Sequence, residues 1–212
     1  MPQAFTSITS PAAPLMQANV DTDTIMPSRE MRQVSKTGLK DGLFANWRYL
    51  NAAERVPNPD FVLNQPAYKQ AQILLVGDNF GCGSSREFAV WALAEYGIRV
   101  IIAPSFGSIF FANCIRNGLL PIVLAQADID SLAAPMPSPV TVDLQTQMIS
   151  LGENENKNKK FAFTIDETYR NMLLNGLDEI GLTEKNRAHI TDFITADQAR
   201  RPWVYKQHKQ ET

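Results

Sequence analysis

Between Ala71 and Leu124 short apolar runs alternate with amphipathic stretches, and this alternation restricts the chain more than any other feature, because it is the signature of a mixed α/β core. Gln72–Val76 (QILLV) reads as a buried strand and Gly77–Ser84 as a glycine-rich loop. Ser85–Tyr96 then reads as a helix, with Phe88, Trp91, Ala92 and the pair Glu95-Tyr96 at three-to-four spacing and Gly97 as its stop. Arg99–Ala103 (RVIIA) gives a second strand. Ser108–Asn117 gives a second helix closed by Gly118, and Leu119–Leu124 a third strand, so the unit is β-α-β-α-β.

The flanks are less regular. From Asn19 to Asn64 the pattern is broken by Pro27, Gly38, Gly42, Pro57 and Pro59, which predicts loop-rich structure. Beyond the Pro135–Pro139 segment, Val140–Leu144 and Phe161–Ile165 are expected to pair antiparallel across the polar run Glu153–Lys160. Asp166 is placed to cap a helix ending near Gly176, and Thr183 to cap another reaching about Ala196, ahead of a frayed tail from Lys206. The organisation expected is one α/β domain over residues 1–165 and a C-terminal helical appendage over 166–212, a length compatible with one substantial core.

Hydrophobic residues at 44% and charged residues at 20% describe a chain that folds. A formal charge of −2 with interspersed signs supplies no field for nucleic acid or an anionic membrane, so an anionic ligand needs a few local groups. Residues 1–15 lack a basic residue and a sustained apolar core, and no apolar run is long enough to span a bilayer, so neither export nor a membrane partner is expected. Cys82 and Cys114, far apart and in no metal-type or redox spacing, argue against a disulfide framework or an autonomous iron–sulfur site, and a reducing cytoplasm is the compartment expected.

Chemistry concentrates in Gly77-Asp78-Asn79-Phe80-Gly81-Cys82-Gly83-Ser84-Ser85-Arg86-Glu87. Its glycines permit positive φ and close backbone approach, and it delivers two hydroxyls and a guanidinium to the first turn of a helix. There the free N–H groups favour an anion, or a hydroxyl that must become an alkoxide, and Arg86 can grip a carboxylate in bidentate fashion. Ser84-x-x-Glu87 is equally a capping box, in which the serine only satisfies the helix end. Both readings stand on these residues alone.

As a whole the loop resembles the GxGSSRE-type signature of the aconitase family's swivel domain, and as FGCGSSRE it is similar to that of the isopropylmalate dehydratase small subunits and close relatives. Asn19–Pro27 resembles the NxDTDxIxP motif of that family. The segments Ser105–Pro121 and Leu173–Thr183 resemble its SFxxIFxxNxxxNGLLPI and LLNGLDxIGLT motifs, so that the likeness runs in order from about residue 5 to 205.

The resemblance implies a mixed β-sheet flanked by helices with a helical C-terminal extension. It also implies a subunit, inactive alone, of a hydro-lyase of leucine biosynthesis that removes water from a small hydroxydicarboxylate and adds it back in the opposite sense. The [4Fe-4S] cluster that acts on the departing hydroxyl is expected on a large-subunit partner, with none on this chain. Ser84 aligns with the family's serine base, Ser85 and Arg86 with residues that hold a substrate carboxylate, and Thr22, Asp23 and Arg29, in or behind the second motif, are expected beside the same site as further substrate-binding residues. Substrates of related hydro-lyases (homocitrate, citraconate, an alkylmalate) and a non-catalytic anion-binding module are the alternatives. The chain departs from the family's SSREHA at Phe88, where a phenyl ring replaces the histidine. His189 and His208 are expected to be exposed and inert.

Overall fold

A computed structural model describes residues 2–31, 35–152 and 159–205. In chain order the elements are β1 (Ser7–Leu15), α1 (Thr22–Ile25), α2 (Ala45–Arg48), β2 (Tyr49–Asn51), β3 (Val56–Pro57), β4 (Ile73–Val76), α3 (Glu87–Tyr96), β5 (Val100–Ala103), α4 (Ser108–Arg116), β6 (Leu120–Val123), α5 (Gln126–Ala133), β7 (Pro139–Asp143), β8 (Met148–Leu151), β9 (Lys159–Ala162), α6 (Glu167–Asn175), α7 (Glu179–Glu184) and α8 (Arg187–Arg200). One seven-stranded mixed sheet runs β6-β5-β4-β1-β7-β8-β9, and β2 and β3 form a separate ribbon.

The expected β-α-β-α-β unit is present as β4-α3-β5-α4-β6, with all three strands parallel. Every residue of β4 and β5 is buried, and successive residues serve opposite faces. Leu74, Val76, Ile101 and Ala103 join one core with α3 and α4, while Ile73, Leu75, Val100 and Ile102 join the other with β7, β8 and α6.

The sequence pattern assigns no element to residues 7–15, and prolines such as Pro11 and Pro14 are confined to strand edges or bulges as a rule, yet β1 lies in the middle of the sheet. Its register with antiparallel β7 covers Ser7 to Pro11, and its register with parallel β4 covers Ala12 to Leu15. Each half of β1 therefore has one neighbour, and a proline's missing N–H has an open side to face.

Three further expectations are corrected. Val140–Leu144 and Phe161–Ile165 do not pair directly, because β8 inserts between β7 and β9; Lys159 and Lys160 belong to β9, and residues 153–158 of the expected turn lie outside the described residues. Thr183 caps nothing and sits inside α7, whose N-terminus is capped by Asp178 accepting from Gly181 N at 2.7 Å. The helix expected from Ser85 begins at Glu87. Asp166 caps α6 as expected, accepting from Thr168 N at 2.8 Å, and Gly176 closes it in the left-handed region. His189 is exposed, and the tail from Lys206, with His208, lies outside the described residues. No described helix is long and apolar enough to cross a membrane.

Candidate active site

Strands β1 and β4 end side by side, with Leu15 opposite Val76, so the chain leaving each meets the other. Asn19 N donates to Asp78 O (2.8 Å), Gly81 N to Val20 O (2.7 Å) and Thr22 N to Cys82 O (3.0 Å). The loop after β5 forms a third wall, where Phe80 N donates to Ser105 O (3.1 Å) and Gly107 N to Phe80 O (2.9 Å). Three motifs separated in sequence thus converge beyond the carboxyl ends of neighbouring parallel strands, the place where open α/β sheets form their sites.

The glycines fit this convergence. Gly81 has φ +73°, and a Cβ on it would lie 2.1 Å from Phe110 Cγ. Phe110 is buried behind the loop, edge-on to Phe80 at 5.5 Å between ring centroids and stacked with Phe106. The aromatic cluster presses the loop backbone outward, and only glycine lets it come that close. Gly83, at φ +89°, then turns the chain so that Ser84 and Ser85 emerge at the surface.

Two residues of the Asp-Thr-Asp motif hold the emerging segment. Thr22 is 2% exposed and its hydroxyl donates to Ser84 O at 2.9 Å. Asp23 points outward, accepts from Ser28 Oγ at 3.0 Å, and forms an ion pair with Arg86 through Nη1. The hydrogen bond from Arg86 holds the Asp23 carboxyl below the usual carboxylate range, against a smaller opposing effect of burial and with Ser28 assisting. Asp23 is half exposed, so the pair adds little stability; its effect is to fix the direction of the guanidinium. Among the described residues the other guanidinium N–H groups of Arg86 make no hydrogen bond. Arg29 is turned away from this group, with Nη2 donating to Asn46 Oδ1 and Nε 3.5 Å from Glu30 Oε1. Thr22, Asp23, Ser84, Ser85 and Arg86 are together; Arg29 stands apart.

The capping box does not form. Arg86 occupies the N-cap position of α3 without a side-chain cap, and Glu87 is engaged elsewhere: its Oε1 accepts from Asn117 Nδ2 (2.7 Å) and Trp91 Nε1 (3.3 Å). Ser84 lies before the cap, its carbonyl bonded to Thr22 and to Arg86 N (2.7 Å). Ala89 N already donates to Arg86 O (3.3 Å), and the N–H groups of Glu87 and Phe88, which have no partner among the described residues, keep their capacity toward an anion. Sequence reasoning missed Ser28, which only its closeness to Asp23 marks, and Asn117, which lies within the segment ending at Pro121 but carries no local sign of pairing with Glu87. Phe88 packs on Trp91, with ring centroids 4.9 Å apart, and is partly buried against the core, so the phenyl ring fills space beside the helix.

Among the described residues no three His, Cys, Asp or Glu side chains gather, and Cys114 is fully buried in α4, where burial pushes its thiol well up. Cys82 is half buried on the loop. Two scattered cysteines do not fit an iron–sulfur cluster, which needs several thiolates in one framework.

The family model described as the Aconitase C-terminal domain matches residues 2–127. The 3-isopropylmalate dehydratase small subunit of Cupriavidus necator is 53% identical over 96% of this chain and 98% of that protein. The chain belongs to the 3-isopropylmalate dehydratase small-subunit family. A second member, from Agrobacterium fabrum, is 45% identical over 95% of this chain and the whole of that protein. The crystal structure of a 3-isopropylmalate dehydratase chain from Methanocaldococcus jannaschii has a TM-score of 0.64 at 27% identity, covering 88% of this chain and 98% of that one. The mixed sheet flanked by helices that the motifs implied is thus the fold of this small-subunit family.

Proposed function

We propose that the chain is one half of a 3-isopropylmalate dehydratase, a cytoplasmic hydro-lyase that interconverts 2-isopropylmalate and 3-isopropylmalate in leucine biosynthesis. The observation that carries this reading is the joining of the two motifs: Thr22 and Asp23 hold Ser84 and Arg86 at one surface, ahead of an uncapped helix. Ser84 serves as the base that takes the carbon-bound proton. A free serine is a very weak base, and the positive end of α3 together with the charge of Arg86 favours its ionised form. Arg86, one N–H group committed to Asp23, offers the rest to a substrate carboxylate, and Ser85 adds a hydroxyl from the adjacent position. Thr22 keeps the loop in place from beneath. Arg29, held by Asn46 and Glu30 away from these residues, is given no part in binding in this reading.

Activation of the departing hydroxyl belongs in this reading to a large subunit that carries the [4Fe-4S] cluster. The purified chain should accordingly be colourless, contain no stoichiometric iron or sulfide, and show no turnover, gaining activity on mixing with a cluster-bearing large subunit. Reconstitution against 2-isopropylmalate, homocitrate and citraconate tests the substrate as well as the partnership. A stoichiometric cluster in the pure chain, or no gain on pairing, would sink the assignment.

Arg86→Lys keeps the charge and loses the planar fork, so it should mainly raise KM. Loss of one charge-assisted hydrogen bond, about 1.5–3 kcal/mol, corresponds to roughly 10- to 150-fold. Equal KM for variant and parent in the reconstituted enzyme would remove Arg86 from carboxylate binding.

A further inference from the structure

The polypeptide that leaves Asp23, Ser28 and Arg29 returns to α3 at Lys36–Lys40, and one side chain receives it. Glu95, in the last turn of α3, accepts from three successive backbone N–H groups: Gly38 N (2.6 Å) and Lys40 N (2.8 Å), with Leu39 N between them. Three consecutive amides turned toward one carboxylate form an anion nest, and Gly38 at φ +83° provides the left-handed residue that such a turn requires. Leu39 is 2% exposed and packs into the same core as α3, so the turn cannot slide along the helix without uncovering it.

The same segment touches α3 a second time, nearer the site. Lys36 Nζ donates to Asn117 Oδ1 at 3.0 Å and lies 5.2 Å above the Trp91 ring. Asn117 and Trp91 both bond Glu87, the residue that follows Arg86. One end of the segment is therefore tied to the partner of Arg86, through Ser28 to Asp23, and the other to the helix that Arg86 begins.

We propose that Glu95 is a positioning residue, whose carboxylate docks the Gly38–Lys40 turn on α3 and so, through Lys36, Asn117 and Glu87, steadies the start of the helix that presents Arg86. Its relevance to catalysis rests on the function proposed above; the docking itself does not. Glu95→Gln keeps the size but brings N–H donors against N–H donors, and Gly38→Ala strains the nest from the other side without changing charge. Hydrogen exchange on the isolated chain should show the Leu39 and Lys40 amides exchanging about tenfold faster in both variants, with the amides of β4 and β5 unchanged. In the reconstituted enzyme KM should rise roughly three- to tenfold with kcat within about twofold, because the chemistry is untouched while the binding surface shifts. A purely structural role would reduce the active fraction and leave KM alone. Should Glu95→Gln fail to fold, Gly38→Ala carries the same measurements. Unchanged exchange, or normal KM in a pair whose parent turns over, overturns this inference alone. Absence of turnover in the parental pair overturns the proposed function and this role with it.

Discussion

Ser84→Ala should lower kcat of the reconstituted enzyme by roughly 100- to 10,000-fold, the range a positioned general base contributes, with little change in KM or thermal stability. The structure makes the stability half of this expectation sharp. Had Ser84 been the helix cap, its alanine variant would lose about 0.5–2 kcal/mol. Ser84 instead precedes the cap position, its side chain bonds no helix N–H, and its one tie to Thr22 runs through the backbone carbonyl, which alanine retains. The side chain is exposed, so removing it leaves no cavity. Melting curves and kcat measured on the same preparation separate the two roles, and a destabilised variant with undiminished kcat would end the catalytic assignment.

Gly81→Ala should be the most damaging single methyl group in the loop. The left-handed backbone costs an alanine about 1–2 kcal/mol, and forcing the Phe110 ring aside adds about 1–3 kcal/mol of overpacking. Together these take a large share of a stability of about 5–15 kcal/mol and should lower Tm by roughly 4–20 °C. Because Gly81 N bonds Val20 O and Gly107 lies against the Gly81 carbonyl, relief by moving the backbone would separate the three loops that build the site. A Phe110→Ala background removes the ring contact, so the penalty of Gly81→Ala should shrink there. A variant melting within about 1 °C of its parent, or an undiminished penalty in that background, contradicts the packing described.

What could be read from the sequence follows from how local each signal is. Ile73–Val76 and Val100–Ala103 were legible because strands buried on both faces must be apolar throughout. Asp166 and Gly176 were legible because a cap is decided within four residues. Strand β1 was not, because the two-sided pairing that accommodates Pro11 and Pro14 involves β4 and β7 at great distance along the chain. The capping box failed for a related reason: its local pattern is correct, but Asn117, 30 residues on, takes the Glu87 carboxylate. At the site the two motifs were recognisable by type and order, whereas the pairing of Arg86 with Asp23 joins residues 63 apart and leaves no periodic trace. The nest that receives Glu95 is a backbone feature, invisible in side-chain chemistry except for Gly38.

The placing of β1 also has a consequence in time. Its upper half can zip onto β4 early, but its lower half waits for β7: the paired hydroxyls of Thr9 and Thr141 are 132 residues apart. At ribosomal rates of about 5–20 residues per second, that separation amounts to roughly 7–26 s during which one edge of the nascent sheet stands open. Contacts so distant along the chain slow folding, and an open edge in the interval is a template for pairing with another chain. The first strand synthesised is thus among the last to be completed, and the yield of native subunit should depend on how well that edge is shielded before the final third of the chain arrives.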